Sequence, residues 1–209
     1  MPIRFFPPGE VWPQNFVAPK QTHSARICEI ETGAENLQNC DGIFTANQNL
    51  ILAVRTADCA AVCFSDAQKV GIAHAGWRGT AAGILEKMAS DFRNPEIFVA
   101  PFLPRFEIQR DFCFEILHEK FGDDFFEFEN LENLKSKNLQ IKNSRNSNFV
   151  GENSPRIFFN FHGALFSILR NFGKVKFDGR STFENLNFAS HRRDKTSARN
   201  LTAICHGDF

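Results

Sequence analysis

Apolar and polar positions divide this chain into short continuous apolar runs, bounded by turn-forming residues, and longer stretches in which apolar residues recur on one side of a helix. Leu50-Ile51-Leu52-Ala53-Val54, Ala60-Ala61-Val62-Cys63-Phe64 and Val70-Gly71-Ile72-Ala73 predict three buried strands, the last ending at His74. Glu96 to Ala100 predicts another, stopped by Pro101 and Pro104, and Val175-Lys176-Phe177 and Leu201-Thr202-Ala203-Ile204 read as closing strands. Helical spacing recurs in Thr80 to Phe92 (Ala81, Ile84, Leu85, Met88), with Thr80 as N-cap. It recurs in Cys113 to Phe121 (Phe114, Leu117, Phe121) and in Phe158 to Phe172 (Phe161, Leu165, Ile168, Leu169). Pro7 to Pro19 is expected to be extended or irregular, and Asp41-Gly42-Ile43-Phe44-Thr45 and Asn47-Gln48-Asn49 to be turns. Asn130 to Asn153, polar and rich in Asn, Lys and Ser, reads as a loop or insertion.

This order of elements is read as α+β, an α/β sandwich: a single domain over residues 1–209 with mixed β-sheets flanked by helices. The hydrophobic content of 43% suffices for a substantial core, and 24 basic against 24 acidic residues leave no net charge to attract nucleic acid or a membrane surface. With no signal peptide and no spanning segment in the sequence, a cytoplasmic protein with six reduced cysteines is expected. There is no Tyr among the 209 residues, so proton transfer and metal ligation fall to His, Cys, carboxylates and Arg.

The candidate chemistry lies in three short motifs: Gln21-Thr22-His23-Ser24, Thr56-Ala57-Asp58-Cys59 and Ala73-His74-Ala75-Gly76-Trp77-Arg78-Gly79. One thiolate and two imidazoles, from His23, Cys59 and His74, make the three-ligand set of a catalytic zinc that keeps a fourth position open. Separations of 36 and 15 residues exclude a zinc-finger knuckle and require a pocket assembled by the fold. Cys63, four residues past Cys59, shares its face in a strand and is a fourth-ligand candidate. The plainer reading of Cys63, and of Cys28, Cys40, Cys113 and Cys205, is a small buried hydrophobe.

The Thr56-Ala57-Asp58-Cys59 and His74-to-Gly79 motifs, with Ser190-His191-Arg192-Arg193-Asp194 and Thr196-Ser197-Ala198-Arg199 near the end, closely resemble the laccase-domain family. That family was once called multicopper polyphenol oxidases and is now regarded as purine nucleoside phosphorylases. The resemblance runs from about Gln21 to Ile204 and implies His23, Cys59 and His74 as metal ligands. The chain departs from the family pattern at Ser24, where Gly is usual, at His191, where an aromatic is usual, and at Ala198, where Gly is usual.

The resemblance thus implies a zinc-dependent phosphorylase acting on inosine, guanosine or adenosine with phosphate, as monomer or homodimer, and a possible adenosine deaminase. Asp58, Cys59 and His74 are the catalytic candidates, Asp58 moving protons. Arg78, Arg192 and Arg55, with the Gly76 turn, are the phosphate and substrate candidates, and Arg192 is preferred to Arg193 because neighbours in a strand face opposite ways. Copper is a possible occupant, but six His are too few for the two copper centres of a true laccase. Two other readings stay open: a Cys59–His74 hydrolase or amidase acting on a peptidoglycan precursor, and a structural metal site in an interaction module, with Cys63 or His191 as fourth ligand.

Overall fold

The computed structural model describes residues 2–129 and 155–207; the expected loop at Asn130 to Asn153 lies outside them. The architecture is α+β, as expected, with several mixed sheets. The chain forms two compact units, Met1–Pro104 with Leu165–Phe209, and Arg105–Ala164. Strands are numbered along the chain.

The larger unit holds two sheets. The first contains β1 (Ile3–Phe6), β2 (Phe16–Val17), β5 (Ile51–Thr56) and β13 (Asn200–Ile204) in the order β1-β13-β5-β2. The second contains β3 (Ile27–Glu29), β4 (Gly42–Thr45), β6 (Ala60–Ser65), β7 (Val70–Ala75), β8 (Glu96–Val99) and β12 (Lys174–Phe177) in the order β12-β8-β6-β7-β4-β3. Leu52 and Val54 of β5 and Ile204 of β13 pack with Ile43, Ala61, Cys63, Val70 and Ile72 of the second sheet in one buried cluster. On the opposite face of β6, Phe64 stacks on Phe92, beyond α2 (Ile84–Ser90), whose Ile84, Leu85 and Met88 are fully buried. Strands covered on both faces carry apolar residues at nearly every position, which is why β6 and β7 read as unbroken runs. Each buried large aliphatic side chain contributes about 1.5–3 kcal/mol.

The smaller unit is an antiparallel sheet in which β11 (Arg156–Asn160) lies between β9 (Arg105–Ile108) and β10 (Phe126–Glu129), with α3 (Phe112–Phe121) inserted before β10. Phe126, Phe159 and Phe106 pack ring against ring there, so part of the Phe excess is core.

Several local expectations fail for identifiable reasons. The helix expected from Phe158 begins only at Phe161 (α4, Phe161–Leu169), because Arg156–Asn160 pairs on both edges with β9 and β10. Asn160 then caps the helix by accepting from the Gly163 amide (2.8 Å). The stretch expected as a turn at Asp41 to Thr45 contains β4, fully buried between β3 and β7. Thr80 is not an N-cap: α1 (Trp77–Ala81) starts after Gly76, Thr80 is buried inside it, and the chain breaks at Ala82 and Gly83 before α2. Cys28 and Cys40 form a disulfide with Cα atoms 6.5 Å apart, against the expectation of six reduced thiols. The parallel pairing of β3 with β4 brings these two residues within bonding reach, a proximity that composition and chain size do not encode. Among the described residues no helix is long and apolar enough to cross a membrane.

The connection from β3 to β4 is organised by Glu35, whose carboxylate accepts from the amides of Glu31, Thr32 and Gly33. The Thr32 amide bond leads these contacts in drawing its pKa from 4.5 down to about 2. A depressed pKa stabilises the fold above the ordinary carboxylate value, and that contribution disappears as pH falls toward the folded value. We expect Glu35→Gln to lower the thermal midpoint at neutral pH, with the gap closing as pH falls from 4.5 toward 2. A gap independent of pH would contradict this account.

Candidate metal centre

Two connections of the larger unit and the end of one strand bring their donors together. β5 belongs to the first sheet and β6 to the second, so Ala57-Asp58-Cys59 carries the chain from one to the other, and Asp58 takes a left-handed φ of 86° to make the corner. β7 runs one residue past the expected end, to Ala75, and places His74 opposite Ala61 of β6. His23, also left-handed at φ 62°, sits in the connection from β2 to β3. The donor atoms of His23, Cys59 and His74 all lie within 4.8 Å of one another, with Cys59 Sγ 3.9 Å from His23 Nε2. Among the described residues no fourth His, Cys, Asp or Glu joins them.

The loop bearing His23 is gripped on two sides. Gln21 donates to the Arg55 carbonyl (2.7 Å) and accepts from the Arg55 amide (2.9 Å), docking the loop on β5. On the other side stands Asp41, which no sequence motif marked. Its Oδ1 accepts from the His23 amide (3.0 Å) and contacts His74 Nδ1 (2.8 Å); its Oδ2 accepts from the amides of Thr22 and Ser24 and the Ser24 hydroxyl. Asp41 and His74 are buried, whereas His23 is exposed. The order Asp-Gly-apolar was the one available signal, and it is shared with ordinary turns.

Two glycines let these segments close together. A methyl on Gly76 would stand 3.0 Å from both Cys59 Sγ and His23 Cδ2, and one on Gly79 would stand 2.8 Å from the Ser24 carbonyl oxygen. The start of α1 therefore seats against the His23 loop with no room for a side chain at Gly79, and at Gly76 only if Cys59 and His23 give way. Overpacking of this kind costs about 1–3 kcal/mol. We expect Gly76→Ala to weaken zinc binding by about tenfold or more, read by competition with a chelating dye; unchanged affinity would refute the crowding.

Burial opposes ionisation of Cys59, but hydrogen bonds from His23 and His74 and their charge outweigh it and draw the thiol down to about 6. Burial likewise opposes charge on His74, yet Asp41 and Cys59 raise it to about 9. Asp41, despite its burial, is held well below the usual carboxylate range by its donors. Cys63, deep in the inter-sheet cluster, has its thiol pushed far up by burial alone and lies outside the donor group. Cys59 lies in the corner before β6, so the strand alternation that would put the two cysteines on one face does not extend to it. Since Cys59 is a thiolate above about pH 6, its alkylation in metal-stripped protein should be fast at neutral pH and slow as pH falls through about 6. Zinc should suppress it, and Cys63 should stay unmodified.

The other marked residues fall around this centre. Asp58 accepts from Thr182 Oγ1 (2.9 Å) and from the Arg192 amide (2.7 Å), tying the corner to α5 (His191–Asp194). The Arg193 guanidinium is taken up by the carbonyls of Thr182, Phe183, Asn185 and Phe188. Arg192 is exposed on the same turn. Arg78 is exposed on α1 with its guanidinium 4.3 Å from the Trp77 ring. Arg55 lies over Trp12 and Phe16. His118 pairs with Asp123, His191 and His206 contact the carbonyls of Thr196 and Thr45, and none of these, nor His162, belongs to the donor group.

Residues 9–207 match the family described as multi-copper polyphenol oxidoreductase laccase. This chain belongs to that family. It is 37% identical over 95 residues to a purine nucleoside phosphorylase of Haemophilus influenzae, covering 44% of this chain and 38% of that protein. It is 28% identical over 144 residues to adenosine deaminase RL5 of an unknown prokaryote, covering 62% of this chain and 52% of that one. The aligned stretches thus span about half or less of these relatives. The fold is similar to hypothetical protein YfiH of Bacillus licheniformis, with TM-score 0.69 and 25% identity over 91% of this chain and 74% of that structure.

Proposed function

We propose that this member of the laccase family is a zinc-dependent purine nucleoside phosphorylase, converting inosine, guanosine or adenosine and phosphate to free base and ribose 1-phosphate, with adenosine deamination as a side activity. The observation that carries this reading is the three-donor group itself: one sulfur and two imidazoles within 4.8 Å, with no fourth protein donor among the described residues. A tetrahedral zinc with bonds near 2.0–2.3 Å spaces its donors by roughly 3.3–3.8 Å, so a small closure of the loops completes the set. The soft sulfur and imidazole donors suit zinc or copper better than magnesium or calcium.

A divalent ion held there supplies Lewis-acid polarisation of a purine substituent and a lowered pKa for water. The protein supplies the rest. Asp58, next to Cys59, keeps carboxylate lone pairs after accepting from Thr182 Oγ1 and the Arg192 amide, which suits it to relay a proton from the attacking phosphate or water to the departing purine or ammonia. Arg78, on the helix that starts after Gly76, and Arg192, on α5, offer guanidinium donors for phosphate. The stacking of Arg55 on two aromatic rings suits a purine-facing platform better than phosphate.

A second reading has its own support: Cys59, His74 and Asp41 also form the sulfur–imidazole–carboxylate series of a thiol hydrolase. The exposed His23 beside Cys59 has no part in that series and favours metal. Nucleoside turnover with phosphate, measured beside metal content on the same sample, decides between them. We expect base release that is lost on chelation and in Cys59→Ser, and Arg78→Ala and Arg192→Ala to raise the phosphate KM by about tenfold. Zinc-loaded protein that yields neither base from a purine nucleoside nor inosine from adenosine would refute the phosphorylase. Chelator-resistant hydrolysis blocked by Cys59 alkylation would establish the thiol enzyme instead.

A further inference from the structure

The five groups that converge on the Asp41 carboxylate set a chemical condition. Three are backbone N–H groups, of Thr22, His23 and Ser24, and one is the Ser24 hydroxyl, whose single proton is shared between Asp41 Oδ2 and the Asn39 carbonyl. The fifth is His74 Nδ1. Only an acceptor without protons of its own satisfies this set, and an ionised carboxylate is the one side chain of this size that qualifies. His74 must therefore meet it as Nδ1–H, leaving Nε2 as the ring nitrogen available to the donor group. The main chain repeats the link, the His74 amide donating to the Asp41 carbonyl at 2.7 Å.

The two oxygens divide the work. Oδ2 serves the loop alone, through Thr22 and Ser24. Oδ1 serves both imidazole ligands, holding the backbone of His23 at 3.0 Å and the ring of His74 at 2.8 Å. One atom thus sets the separation of two ligands that are 51 residues apart in the chain. His23 is held only through its backbone by this carboxylate, so the same atom that selects the His74 tautomer also places the His23 loop in its left-handed conformation.

We infer that Asp41 is the positioning residue of the metal centre: through Oδ1 it fixes His74 as an Nε2 ligand and holds His23 at the matching distance. This rests on the metal reading above, and the test separates the two. Protein labelled with 15N in its imidazole rings is loaded with cadmium-113. The wild type should show cadmium coupling at Nε2 of His74 and a slowly exchanging proton on its Nδ1. Asp41→Asn turns an amide NH2 toward incoming donors, and should lower zinc affinity about 10- to 100-fold while the folded fraction keeps its far-ultraviolet dichroism. Coupling at Nδ1 of His74, or an unchanged zinc affinity in a folded Asp41→Asn, would overturn the inference and leave the metal reading intact. If Asp41→Asn does not fold, the wild-type spectrum alone decides. Failure of wild-type protein to bind cadmium or zinc would overturn both.

Discussion

A fully buried carboxylate facing five donors is the interaction on which this site depends. Burying an unpaired charge is prohibitively costly, and a carboxylate removed from water is tolerated only where hydrogen bonds replace its hydration. Asp41 meets that condition by recruiting three consecutive amides from the loop that Gln21 docks on β5, and in doing so it ties the loop to the second sheet as well. The antiparallel pairing of β4 with β7 makes this possible, because it sets the residue before β4 beside His74. The position of the His23 loop is thereby subordinated to the register of two buried strands, and register is well specified where both faces of a strand are covered.

A second carboxylate plays a parallel part at the corner between the sheets. Asp58 adopts a backbone conformation that is uncommon for anything but glycine, and its two oxygens are engaged by Thr182 and by the amide of Arg192, more than 120 residues away. Left-handed backbone at His23 and at Asp58, next to Cys59, is the kind of local strain that only a well-determined surrounding sustains. The surrounding here is the inter-sheet core on one side and the glycine contacts of α1 on the other. The centre thus joins two loop residues, His23 and Cys59, to the strand residue His74, which combines precise placement with access from solvent at His23.

Much of this was legible in the residues. His23, Cys59 and His74 stood out because thiol and imidazole within short distinctive motifs name a chemistry before any fold is known, and the structure brings their donor atoms together. The strands at Leu50, Ala60 and Val70 were legible because an apolar run of that length, closed at both ends by polar turn residues, spans a buried strand and is too short for a buried helix. The β4 strand was not, since Asp41-Gly42 carries the signature of a turn and its burial comes from neighbours distant in sequence. The helix at Phe158 was placed too early for a related reason: Ile157, Phe158 and Phe159 fit either period, and pairing with β9 and β10 settled the choice.

By itself the sequence determined the inventory of candidate donors, the family and the mixed character of the fold, because side-chain chemistry and apolar periodicity are local properties. Tertiary structure alone decided that Asp41 serves the His74 imidazole and the His23 amide, that Cys63 belongs to the core, that Arg193 is occupied by carbonyls and that Cys28 meets Cys40. Each of those depends on strand register or chain reversal over tens of residues. Such distances in space are set by the collective packing of two sheets, and no local pattern encodes them.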